Sequence, residues 1–261
     1  MTQQEIKTIA LVGGGVIGGG WATRCLANGL NVVVTDPRPE SRDYVERMID
    51  EAWPILEEAD LIAESGGQLS FVDNIEAAVA QADFVQENVP EREDLKIAIH
   101  QEISENVRAD VVIASSSSGL LPSRLQSQCK HPERLLIGHP FAPVYLLPLV
   151  EVVGSEQTSS VAVSRAGAFY RSIGMRPLHV RREIEAYIAD RLQESLYREA
   201  LHLIDQGVRI HDIDTLSCQG FFCQSRGSRR RIPLRRIAAR ELGRFLFHRG
   251  WRRCLGYIGL I

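Results

Sequence analysis

The stretch Leu11-Val12-Gly13-Gly14-Gly15-Val16-Ile17-Gly18 constrains this chain more than any other, because glycines at these intervals suit one local fold. An apolar run, Lys7–Val12, precedes it and reads as a strand. An amphipathic segment, Gly15–Asn28, follows and reads as a helix, and a second apolar run, Asn31–Thr35, ends at Asp36. In such a unit Gly13 permits a tight turn and Gly15 lets the backbone approach a pyrophosphate on the helix N-terminus. Gly18 lets helix and strand pack closely. Asp36 lies 18 residues beyond Gly18, where a carboxylate binds both ribose hydroxyls and repels a 2′-phosphate. The unit predicts a dinucleotide site built from Gly13, Gly14, Gly15, Val16, Ile17, Gly18 and Asp36, with NAD favoured. Arg38 leaves NADP open, and FAD uses a similar fingerprint.

The rest of the chain repeats the alternation. Leu69–Val72, Asp83–Gln86, Val111–Ala114, Leu135–Gly138, Leu149–Val153 and Pro177–Val180 read as strands, with helical spacing between most of them. A long charged helical stretch covers roughly residues 39–63. The predicted fold class is α/β, a Rossmann-type doubly wound and mostly parallel sheet, followed by a truncated helical second domain. From Glu183 the pattern becomes helical, with Ile188, Leu192, Leu196, Ala200 and Leu203 forming one stripe. The expected domains are 1–182 for dinucleotide binding and the reacting groups, 183–215 for the start of the helical domain, and 216–261 for an atypical tail of low order.

That tail holds eleven arginines against one acid, Glu241. It carries about +10, so the remainder carries about −13 of the total −3, an odd asymmetry within one compact unit. Elsewhere the composition is ordinary for a globular protein, with 44% hydrophobic and 24% charged residues. There is no run long enough to span a membrane, and the N-terminus does not read as a signal peptide. Five irregularly spaced cysteines suggest reduced thiols and a cytoplasmic location.

Oxidation of an alcohol by hydride transfer needs a base for the hydroxyl proton. His139 is the candidate, since imidazole titrates near neutral pH and the residue follows the strand Leu135–Gly138 at the edge where open α/β sheets bind ligands. Glu151 sits among aliphatics in Leu149–Val153, a costly position unless the carboxylate is paired. Pairing with His139 would orient the ring. The other histidines have no such partner in this reading. Ser115–Ser118, after an apolar strand, can donate to a substrate oxygen or form a plain polar turn.

Together these residues resemble the L-3-hydroxyacyl-CoA dehydrogenase family. The likeness rests on Gly13-x-Gly15-x-x-Gly18, Asp36, Ser115–Ser118, and Gly138-His139-Pro140-Phe141-x-Pro143 followed by Leu149-x-Glu151-Val152; it covers roughly residues 5–215. The resemblance implies His139 as general base, Glu151 as its partner and Ser118 as a donor to the reacting oxygen. It implies that Glu91 and Lys96 contact the cofactor, that Asp190 lies near the active site, and that no metal takes part. The chain departs from the family at Ala142, where an asparagine is usual, so the loop around the histidine is expected to loosen. The second departure is the tail, which replaces the helices that close the cleft and form the family's homodimer. Disruption of the reading frame near residues 210–216 is the favoured account, with weak dimerisation, an exposed apolar stripe and poor stability expected.

Residues 37–65 hold three arginines and nine acids. A net −6 is a poor cradle for the phosphates of an acyl-CoA and suits a small cationic substrate such as L-carnitine better. Phe141, Tyr145 and Tyr187 are candidate aromatic walls for a quaternary ammonium, with ordinary core packing as the favoured reading of any single one and a solvated helical face as the other reading of the acids. The expected reaction is NAD-dependent oxidation of L-carnitine to 3-dehydrocarnitine, with a 3-hydroxyacyl-CoA as the alternative substrate. An alternative of another class is an inactive NAD-binding remnant with a basic interaction tail; nucleic acid is not an expected partner.

Overall fold

The computed structural model describes residues 5–64 and 66–216. The tail beyond residue 216 and its three cysteines lie outside the described residues.

The strands are β1 (Thr8–Val12), β2 (Asn31–Thr35), β3 (Leu69–Phe71), β4 (Phe84–Glu87), β5 (Val112–Ser115), β6 (Leu135–Pro140), β7 (Leu149–Val153) and β8 (Arg176–Val180). They form one eight-stranded sheet in the order β3-β2-β1-β4-β5-β6-β7-β8. Every pair is parallel except β6 with β7. Only an eight-residue loop without a helix separates those two strands, too short for a crossover, so the chain returns antiparallel.

The helices are α1 (Val16–Ala27), α2 (Ser41–Glu58), α3 (Ile75–Val79), α4 (Glu93–Asn106), α5 (Pro122–Leu125), α6 (Ser160–Ser172), α7 (Ala189–Asp205) and α8 (Ile210–Leu216). The central strands are apolar on both faces because helices cover both. In β1, Ile9 and Leu11 join the core with Trp21, Phe84 and Tyr170, while Ala10 and Val12 join the opposite core with Val85, Ile103 and Ile113. The strand order reverses between β1 and β4, which opens a crevice at their C-terminal ends.

Residues up to Leu192 form one compact unit, and Gln193 begins a second. α7 buries none of its residues, and Leu192 and Leu196 are 62% and 61% exposed. Among the described residues no helix is long and apolar enough to cross a membrane.

Candidate active site

The glycine turn sits at the mouth of the β1/β4 crevice. Gly13 has φ +102°, and a Cβ there would meet the Asn88 carbonyl at 2.8 Å. A Cβ on Gly18 would fall 1.9 Å from the Gly13 oxygen, so helix and turn touch only because both lack side chains. At Gly15 the same test meets nothing nearer than the Arg38 guanidinium at 3.8 Å, which leaves the turn open on that side. Gly15 is also the N-cap of α1 and brings no side-chain cap, so the first amides of the helix remain for a pyrophosphate. This cradle fits a dinucleotide.

Asp36, at the end of β2, is held tightly. One oxygen accepts from Gly14 N at 2.7 Å, and both accept from the Arg38 guanidinium at 2.8 and 3.0 Å. Burial alone would raise its pKa, but these hydrogen bonds hold the carboxyl below the usual range. A ribose reaching Asp36 must therefore displace Arg38.

Polar side chains run from Asn88, whose backbone N–H donates to Val12 O just before the glycine turn, to Gly138 beside His139. Ser116 donates to Asn88 at 2.8 Å and accepts from Trp21 and Gln86. Gln86 also donates to the Gly138 carbonyl at 3.1 Å, and Tyr170 donates to Gln86 at 2.7 Å. Gly138 must be glycine here, since a Cβ would lie 1.9 Å from the Tyr170 hydroxyl.

His139 lies inside β6 rather than after it, because the strand continues to Pro140 through its pairing with β7. It faces Glu151 directly across the antiparallel ladder, and Nδ1 is 3.0 Å from Oε2. The other Glu151 oxygen accepts from Ile188 N and Ala189 N at 3.1 and 3.0 Å. Two successive residues with left-handed backbone, Ala186 (φ 56°) and Tyr187 (φ 46°), aim those amides at the carboxylate. Burial would raise the Glu151 pKa, but the His139 bond and the two amides bring it below the usual range. Asp190, in the first turn of α7, places Oδ2 3.9 Å from His139 Nε2. The Phe141 and Tyr187 rings lie 4.7 and 5.6 Å from the imidazole. Tyr187 is fully buried and donates to Leu120 O at 2.6 Å, so it packs as core beneath the histidine. Tyr145 is half-buried in the loop after β6.

Glu91 gathers the serine loop: one oxygen accepts from Ser117 Oγ, Ser118 N and Gly119 N. Ser118 itself is exposed. Lys96 is 1% exposed, and its ammonium binds Glu87 at 2.8 Å and Val89 O at 3.0 Å, with Glu91 at 3.5 Å. It therefore reaches the serine loop through Glu91. Glu87, which no local sequence pattern marked, is a fully buried carboxylate whose pKa is about 2: burial opposes ionisation, but Lys96 and His100 outweigh it. The expectation that only His139 has a carboxylate partner is corrected here. His100 Nε2 lies 3.2 Å from Glu87 and His131 Nδ1 3.4 Å from Glu133. The signal for the first was a lysine and a histidine four residues apart on one helix face, pointing back at the preceding strand.

Arg24 was also missed. It is buried in α1 and donates to Val144 O, Leu147 O and Ile173 O at 2.8, 3.2 and 3.0 Å. Two of these carbonyls belong to the loop after His139 that Ala142 was expected to loosen, so Arg24 supplies a hold on it. Burial pushes its pKa down to about 10. All nine acids of residues 37–65 are exposed, on and beside α2, as in a solvated helical face. Cys25 and Cys129 are free thiols that burial pushes up to about 12 and 11, which makes them poor nucleophiles.

Residues 8–184 match the family described as 3-hydroxyacyl-CoA dehydrogenase, NAD binding domain. The chain belongs to this family. The dinucleotide of its cradle is thus NAD. Among curated proteins it is 54% identical over 205 residues to L-carnitine dehydrogenase of Pseudomonas aeruginosa, covering 78% of this chain and 64% of that protein. L-carnitine dehydrogenase of Burkholderia mallei is 53% identical over the same length and share. The chain thus spans 64% of the length of these relatives. A solved structure of an NAD+-dependent dismutase, 5-formyl-3-hydroxy-2-methylpyridine 4-carboxylic acid 5-dehydrogenase, superposes with a TM-score of 0.80 at 29% identity. That match covers 93% of this chain and 80% of the other.

Proposed function

We propose that this 3-hydroxyacyl-CoA dehydrogenase family member oxidises L-carnitine to 3-dehydrocarnitine with NAD. The observation that carries the reading is the His139–Glu151 pair, buried at the strand edge, with Gln86 donating to the carbonyl of the neighbouring Gly138. The names of the curated relatives support the substrate.

Bound NAD supplies the hydride acceptor. His139 Nε2 takes the hydroxyl proton, because Glu151 occupies Nδ1 and fixes the tautomer in which Nε2 is free to accept. As the proton arrives, the Glu151 carboxylate stabilises the imidazolium, and the Ile188 and Ala189 amides keep that carboxylate ionised. Ser118 donates to the carbinol oxygen, in a loop that Glu91 holds in place.

The test is to follow NADH formation by the full chain with L-carnitine and, separately, with 3-hydroxybutyryl-CoA. Turnover of carnitine is the expected result. Turnover of the CoA ester alone would move the reading to the acyl-CoA substrate, and NAD binding without turnover of either would reduce it to a binding role.

A further inference from the structure

A negative charge that could select a cationic substrate stands at His139 itself. Asp190 stands there. Its carboxylate is 3.9 Å from Nε2, the nitrogen left free by Glu151, and its side chain is 32% exposed. It lies at the open side of the imidazole, while Glu151 closes the buried side. Burial raises the Asp190 pKa, and Glu151 and Glu91 both repel its charge while His139 attracts it. Glu151 and Glu91 thus add to the negative potential that Asp190 brings to this corner of the site.

The substrate geometry matches this excess. In carnitine the quaternary nitrogen is bonded to the carbon next to the carbinol carbon. When the hydroxyl lies against Nε2, the cation falls within a few bond lengths of the same nitrogen. A trimethylammonium has no N–H to donate, so it is held by a facing charge and by an aromatic surface. Phe141, half-buried with its ring 4.7 Å from the imidazole, offers that surface.

We propose that Asp190 is the specificity-determining residue of this site, selecting a 3-hydroxy acid that carries a fixed positive charge on the carbon beside the carbinol. This rests on His139 being the base that receives the hydroxyl. Asp190 forms no bond to the reacting atoms; it reads the charge next to them, and Phe141 covers the methyl groups.

The test compares L-carnitine with its carbon isostere, 3-hydroxy-5,5-dimethylhexanoate, in which a quaternary carbon replaces the nitrogen. Both carry the same carboxylate and the same shape. In the full chain with saturating NAD, Asp190→Asn should lower kcat/KM for carnitine by about 100-fold, mainly through KM. The isostere should change by less than about threefold. A second readout needs no turnover: 4-(trimethylammonio)butyrate, which lacks the hydroxyl, should bind the NADH-loaded chain more weakly after Asp190→Asn, measured by calorimetry. Equal losses for carnitine and isostere would overturn the proposal and place Asp190 on the proton path. Unchanged binding of the butyrate in Asp190→Asn would overturn it as well. Carnitine turnover with no effect of Asp190→Asn sinks this inference alone, whereas turnover restricted to a CoA ester sinks the proposed function beneath it.

Discussion

His139 and Glu151 stand opposite one another across two antiparallel strands, so backbone register rather than side-chain reach sets their contact. Residues directly opposed in such a ladder project from the same face with Cβ atoms about 5 Å apart. A carboxylate and an imidazole at those positions meet with little rotamer freedom to lose. Replacing His139 with Ala should abolish carnitine oxidation while NAD affinity, measured by fluorescence titration, changes less than about twofold. Glu151→Gln should cut turnover by about a hundredfold or more, since the ring loses its orienting anion. Full activity in His139→Ala would refute the base assignment.

Asp36 and Arg38 make a second prediction. The carboxylate is the group that binds ribose and repels a 2′-phosphate, and it also neutralises the arginine beside it. Asp36→Asn should weaken NAD binding about tenfold or more and leave the guanidinium unpaired. NADP should then bind more tightly than it does to the wild-type chain, narrowing the preference from the other side. If NADP affinity stays flat, Arg38 does not reach the 2′ position.

Acid stability should follow Glu87. Its pKa in the folded chain is about 2, against an ordinary value of 4.5. A depressed carboxyl stabilises the fold above its unfolded pKa, and that contribution is lost as pH falls through the folded value. The loss should thus run from about pH 4.5 down to about pH 2 and amount to a few kcal/mol. Urea midpoints measured across that range would show it. At neutral pH, Glu87→Gln should cost about 3 kcal/mol, because Lys96 is left buried without its main counter-charge.

The left-handed turn before α7 carries strain. An L residue at positive φ costs about 1 kcal/mol, and glycine does not share that cost. Ala186→Gly should therefore leave stability unchanged or raise it by up to about 1 kcal/mol, despite the added freedom of the unfolded chain. A melting temperature lowered by several degrees would show that the Ala186 side chain has a packing role.

The α/β alternation, the glycine turn, Asp36 and the His139–Glu151 pair were legible because each leaves a local mark: an apolar run, a spacing, a charge among aliphatics. Asp190 was legible only through the family resemblance, and its charge leaves no local mark of what it faces. The acidic stretch was harder to read, since charge density along a sequence does not say which face a helix turns to solvent. Glu87 with Lys96 and His100, and Arg24 with its three carbonyls, were invisible because their partners lie on separate elements. Arg24 bonds carbonyls 120 and more residues away, and carbonyls carry no residue identity to read. The antiparallel return of β7 follows from a short loop whose significance appears only once both flanking strands are known.

The donors to Glu151 have one more consequence. The family match ends at residue 184 and the last strand at Val180, yet Ile188, Ala189 and Asp190 all act at the histidine. A fragment cut at the edge of the sheet would keep a whole nucleotide cradle and forfeit the amides that hold Glu151. The seam at which such a protein can be divided or recombined with its reactive centre intact lies inside the following helix, beyond the point where its sheet is complete.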